Sequence, residues 1–167
     1  MRLLFRSTLP LLLILLVFSS CAKEDDYSDG ISCKELMEIA EKEIPTDLGY
    51  TDFGNGQILY YFEETDAFDD VCLRYSTRSE NINEVGIFHS QSKREANKIK
   101  QQIETYLDEM KEEQSAFIAS YAPDELPKLE EAEIRQFGNY TVYTILFRED
   151  RDNVFQALNK RLLISKE

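Results

Sequence analysis

Residues 91 to 121 constrain the fold more than any other stretch of this chain. Ala96, Ile99, Ile103, Tyr106, Leu107, Met110, Phe117, Ile118 and Tyr121 recur at helical spacing. They make one apolar stripe along a helix of roughly eight turns at 3.6 residues per turn. Lys98, Gln102, Glu109, Glu112 and Glu113 occupy the opposite, solvated face, and Ser92 with Glu95 forms a capping box at the start. A stripe of this width in a chain of mixed composition packs on a sheet more readily than it forms a coiled coil. The flanking sequence supplies that sheet.

Before the helix, Val71 to Thr77 alternates, with Val71, Leu73 and Tyr75 on one face and Cys72, Arg74 and Ser76 on the other. Asn83 to Ser90 is a second strand, and Arg78 to Asn83 suits a hairpin connection. After the helix, Pro123 and Pro127 break it, and Ala132 to Phe137 and Tyr140 to Phe147 read as a second strand pair. Gly138-Asn139 between them is a tight-turn signal, since both residues tolerate positive φ. Thr141, Tyr143 and Ile145 face one way and Val142, Thr144 and Leu146 the other, which suits a strand inside the sheet.

Helices bracket these pairs. Ser32 and Glu35 have capping-box spacing, and Leu36, Met37, Ile39, Ala40 and Ile44 continue a helical pattern up to Pro45. Residues 45 to 56, with Gly49, Gly54 and Gly56, read as a loop. Ile58 to Phe62 fits a helical turn or a strand, and the turn is preferred. A last helix is expected from Asp152, burying Val154, Phe155, Leu158, Leu162 and Leu163. The order α-β-β-α-β-β-α predicts an α+β two-layer sandwich, an antiparallel sheet of about four strands with helices on one face.

The N-terminus carries a different signal. Arg2 and Arg6 precede an apolar run from Leu9 to Phe18, and Ser19 and Ser20 lead into Cys21. A positive head, a short apolar core and a small-residue exit make a secretory signal peptide over residues 1–20. The core is shorter than the ~20 apolar residues that span a bilayer. Phe18-Ser19-Ser20-Cys21 resembles the lipobox of bacterial lipoproteins, although Leu is usual where Phe18 stands. That resemblance implies a diacylglyceryl group on Cys21, and each buried CH₂ of such a chain contributes ~0.8 kcal/mol of membrane affinity. Residues 21–31 then read as the acylated N-terminus and a flexible tether, and 32–167 as a single α+β domain.

Removing residues 1–20 takes away two arginines and no acids. The net charge falls from −13 to −15, with 17 basic against 32 acidic residues. Such a surface repels phosphate backbones, so no nucleic acid is expected as a partner. With Cys21 given to lipid, Cys33 and Cys72 remain, either joined in a possible disulfide across a long loop or separately buried as thiols. The sequence does not decide between them.

Catalytic signatures are missing from the sequence. His89 is the single histidine, far in sequence from Cys33 and Cys72, so neither a Cys–His nucleophile pair nor a zinc site has supporting spacing. The acidic runs 63–66, 69–70 and 149–152 lack EF-hand spacing, and the last of them suits a helix N-terminus. No metal, cofactor or catalytic residue is expected. Tyr60-Tyr61-Phe62 beside the Gly54–Gly56 turn is a possible interaction patch, set against the alternative that these rings fill the core.

The leader and tether, the opening helix ended by a proline, and two stretches ahead of helices together resemble the domain-of-unknown-function family 4358. The stretches are Glu84-Val85-Gly86-Ile87-Phe88 ahead of Ala96 to Tyr121, and Phe137-Gly138-Asn139-Tyr140-Thr141-Val142-Tyr143 ahead of Val154 to Leu163. The similarity covers about residues 32 to 164. It implies surface lipoproteins of Gram-positive, largely anaerobic bacteria and an α+β fold, with no activity and no catalytic residue to carry over. The expected function is a lipid-anchored extracytoplasmic, non-enzymatic binding or interaction module, held on the membrane by Cys21 and taking an envelope protein as partner. The alternative is an accessory small-molecule-binding lipoprotein of a transporter or envelope enzyme.

Overall fold

The computed structural model describes residues 26–45, 49–62 and 65–164. Two hairpins supply four strands. β2 (Asp70–Ser76) pairs with β3 (Glu84–His89), setting Val71 opposite Phe88 and Leu73 opposite Gly86. β4 (Glu133–Phe137) pairs with β5 (Tyr140–Ile145), with Phe137 opposite Tyr140 across the turn. Gly138, at φ +61°, alone supplies the positive φ of that turn, and Asn139 does not share it. β3 and β5 pair antiparallel, placing Ile87 opposite Val142, and so weld the hairpins into one sheet.

A fifth strand corrects the expected count. β1 (Tyr50–Asp52) pairs with β2 at the sheet edge, giving the order β1-β2-β3-β5-β4. Its three residues sit between glycines, so the turn signals concealed it. Asp52 secures the pairing by accepting from Arg74 Nε at 2.6 Å, and Arg74 also binds Glu41.

The helices correct the layer count as well, because they cover both faces. Val85, Ile87, Tyr140 and Val142 meet Leu36 and Met37 of α1 (Cys33–Ala40) and Phe155 and Leu158 of α5 (Arg148–Leu162). Leu73, Phe88, Tyr143 and Ile145 meet Ile58 of α2 (Asn55–Tyr61), Ile99, Ile103, Tyr106 and Leu107 of α3 (Lys93–Tyr121), and Leu129 of α4 (Leu126–Glu130). A strand apolar on both sides, such as β5, demands this. Each Leu, Ile, Val or Phe left in water would forfeit about 1.5–3 kcal/mol.

Smaller differences have local causes. α5 begins at Arg148 rather than Asp152, and its first turn carries Glu149 and Asp150, the charge that suits a helix N-terminus. α4 was hidden by Pro127, which sits at its start where no backbone N–H is needed. The far end of the α3 stripe does not pack throughout: Phe117 and Tyr121 are exposed, their rings 4.6 Å apart. Residues 26–31, read as the end of a tether, lie against the body. Tyr27 bridges Leu163, Ser28 N–H donates to the Leu162 carbonyl, and Tyr27 stands edge-on to Phe137.

Candidate functional site

The Tyr60-Tyr61-Phe62 patch is divided by helix geometry. Gly54 N–H donates to Gln57 Oε1 at 3.0 Å and opens α2 in the span read as a loop. At about 100° per residue, three successive rings cannot share one direction. Ile58 and Phe62, four residues apart, both enter the core, and Phe62 is 0% exposed, 4.9 Å from the Phe88 ring. Phe62 is therefore removed from the patch, where it would have met solvent, and becomes part of what holds α2 down.

Tyr60 and Tyr61 remain outside, 77% and 43% exposed. Tyr61 stands against Tyr60 at 5.0 Å, Tyr106 at 5.1 Å and Phe53 at 6.2 Å, and Phe53 meets Tyr75 at 4.9 Å. The exposed pair is thus the outer end of a continuous aromatic stack rooted in α3 and the sheet. The edge-to-face pairs among them add about 0.5–1.5 kcal/mol each beyond their buried area.

Beneath that stack lies a carboxyl group that sequence reading did not single out. Glu84 of β3 is buried, and the hydroxyls of Tyr106 and Tyr143 donate to its Oε1 at 2.9 and 2.5 Å. Burial pushes its pKa up to about 6, against the downward pull of the two phenol bonds. Both phenols are in turn raised by burial and by the Glu84 charge. Gly86, two residues along β3, makes room for the Tyr143 ring: a Cβ there would fall inside it. No local pattern marks this triad, because Gly86 comes opposite Tyr143 only once β3 and β5 pair.

A second buried polar group lies close by in sequence. The Lys128 ammonium donates to Asn83 Oδ1 and Glu125 Oε2, each at 2.7 Å, and lies 4.2 Å from the Phe147 ring centre. Asn83 Nδ2 donates onward to the Tyr50 hydroxyl at 2.9 Å, tying edge strand β1 to the network.

His89 falls at the opposite end of β3. Nδ1 is 2.6 Å from Asp69 Oδ1 and Nε2 is 2.9 Å from Asp29 Oδ1. With both ring nitrogens engaged by carboxylates, the imidazole has none left to serve a thiol. Cys33 and Cys72 are both free thiols. Burial pushes the Cys33 thiol far up and the Cys72 thiol up to about 11. Thiols held protonated in this way are poor nucleophiles. Among the described residues, no group of three His, Cys, Asp or Glu side chains could hold a metal ion.

Among the described residues, two open depressions lie beside α5. One of about 490 Å³ runs between Arg135, Phe137 and Phe155, and another of about 590 Å³ is lined by Glu43, Gln156 and Leu163. Cys21 and the apolar leader lie outside the described residues, as do Glu63 and Glu64. No described helix is long and apolar enough to cross a membrane.

Comparison with curated proteins and with solved structures gives no match. The model of one family, described as a domain of unknown function (DUF4358), matches residues 51–146. The match runs from β1 through β5, so it includes the aromatic stack, the Glu84 triad and His89, and it is narrower than the resemblance over 32–164. By that match, which spans more than half of its length, the chain belongs to the DUF4358 family.

Proposed function

We propose that this chain is a lipid-anchored, extracytoplasmic binding module without catalytic activity, which docks a protein of the cell envelope through Tyr60 and Tyr61. The observation that carries the docking reading is the exposed tyrosine pair at the end of a packed aromatic stack. Rings already packed against neighbours lose less freedom on binding than free ones, and tyrosine is enriched where proteins meet. The open grooves beside α5 are a weaker basis for the small-molecule alternative, since ligand sites bury most of their ligand in a concave space. Anchoring rests on the leader and on Cys21, which follows it directly.

The anchor is tested by expressing the full chain with Cys21→Ser and separating membranes from soluble material. The expected outcome is loss of the chain from the membrane fraction. Undiminished partition with membranes would show that lipid on Cys21 is not what holds it.

A further inference from the structure

We infer that His89 is a pH-sensitive clasp that closes the N-terminal segment onto the folded body when its imidazole is doubly protonated. The geometry carries this. Both ring nitrogens lie at hydrogen-bond distance from carboxylate oxygens, Asp69 at 2.6 Å and Asp29 at 2.9 Å. A neutral imidazole has one N–H, so it satisfies one carboxylate and turns a lone pair towards the other. The imidazolium donates to both.

The two carboxylates belong to different parts of the chain. Asp69 is fixed to the body, its backbone N–H donating to the His89 carbonyl at 3.0 Å. Asp29 belongs to the segment that leads back towards residue 21, and its other oxygen accepts from Asn139 Nδ2 at 3.1 Å. The imidazole therefore joins segment to body, and the Tyr140 ring packs against it, 4.7 Å away and tilted by 52°. Tyr140 reinforces the same junction: its hydroxyl donates to the Ile31 carbonyl and accepts from the Ile31 N–H. On the α1 and β2 sides the neighbouring titratable groups are Cys33 and Asp70, which bond each other rather than the ring.

Partial burial would lower the His89 pKa, but the hydrogen bonds and charges of Asp29 and Asp69 outweigh it, and the net shift is upward from 6.5. A histidine raised on docking lends its contribution in full below about 6.5 and loses it as pH rises through the docked value. The clasp is closed below the docked value and opens as pH rises through it. The residues of the clasp, Asp29, Asp69, His89 and Asn139, all lie beyond the leader and Cys21, so the clasp stands or falls independently of lipid anchoring.

The chain has a single histidine, so its imidazole signals need no assignment. The test is an NMR titration of the full chain in detergent micelles. Amide exchange is followed in the same samples at Ser28 and Ile31, whose N–H groups bond Leu162 and Tyr140. The expected result is a midpoint above 6.5 that falls back towards 6.5 in Asp29→Asn and in Asp69→Asn. Protection at Ser28 and Ile31, corrected for intrinsic rate, should drop severalfold as pH crosses the wild-type midpoint. In Asp29→Asn that step should vanish while the sheet amides stay protected, which separates clasp loss from unfolding. A wild-type midpoint at or below 6.5, or protection that is flat across the midpoint, would overturn the proposal.

Discussion

The two faces of the sheet are packed by different rules. On the α1–α5 face the core is Leu36, Met37, Val85, Ile87, Val142, Phe155 and Leu158. On the α2–α3–α4 face a comparable apolar set surrounds the Glu84–Tyr106–Tyr143 triad and adjoins the Lys128–Asn83–Glu125 group. Hydrocarbon would serve stability as well or better there, since a buried carboxyl carries a desolvation cost that two neutral donors do not fully offset. The costly face is also the one whose aromatic stack emerges at Tyr60 and Tyr61. A patch backed by hydrogen-bonded groups and packed rings is what the proposed docking surface would require.

The strongest way to break the contrast is Gly86→Ala. The added Cβ has no room beside the buried Tyr143 ring, so the ring must leave Glu84. The expected loss is about 3 kcal/mol or more, from overpacking and from stranding the carboxyl, read by urea unfolding. A loss under about 1 kcal/mol would mean that the triad is loosely packed.

A smaller effect sharpens the contrast through pH. Unfolded, the Glu84 carboxyl ionises near 4.5, whereas folded it holds its proton to about 6. The folded state binds that proton more tightly, so stability from this group is greatest below 4.5 and declines as pH rises through 6. At 1.36 kcal/mol per pH unit the decline is about 2 kcal/mol. Glu84→Gln keeps an acceptor for the phenols and removes the titration. Relative to wild type it should gain stability between pH 4.5 and 7, and an unchanged difference across that range would refute the buried-acid account.

Much of this fold was legible in the sequence, and the failures have particular causes. The α3 stripe from Ala96 to Leu107 and the alternation in β2 and β5 declared themselves by period, whereas β4 was found through Pro127 before it and the Gly138-Asn139 turn after it. The second helical layer was implied by β5, whose Val142 and Tyr143 point to opposite sides and are both fully buried. The expectation of helices on one face disregarded that alternation. β1 is too short to show a period. Phe62 was separable from Tyr60 and Tyr61 by its spacing of four from Ile58, once the stretch is taken as helix.

The polar sites were less accessible. Glu84 reads as an ordinary charged residue at a strand end, and its partners Tyr106 and Tyr143 lie on other elements. Asp69 reaches His89 through the β2–β3 pairing, and Asp29 reaches it because β3 ends beside the docked N-terminal segment. Pairings across such separations are set by tertiary packing, and no local pattern encodes them.

The smallest expected change in stability accompanies the most direct test of function. Tyr60→Ala removes an exposed ring and should alter stability by less than about 0.5 kcal/mol. A photo-crosslinking residue is placed at position 60 of the full chain expressed in cells, and in a second strain at Gln156 on α5, across the sheet. The account predicts a reproducible adduct with one envelope protein from position 60, no such adduct from position 156, and loss of co-purification of that protein in Tyr60→Ala. Equal adducts from both positions, or co-purification that survives Tyr60→Ala, would contradict the assignment of this face as the docking surface.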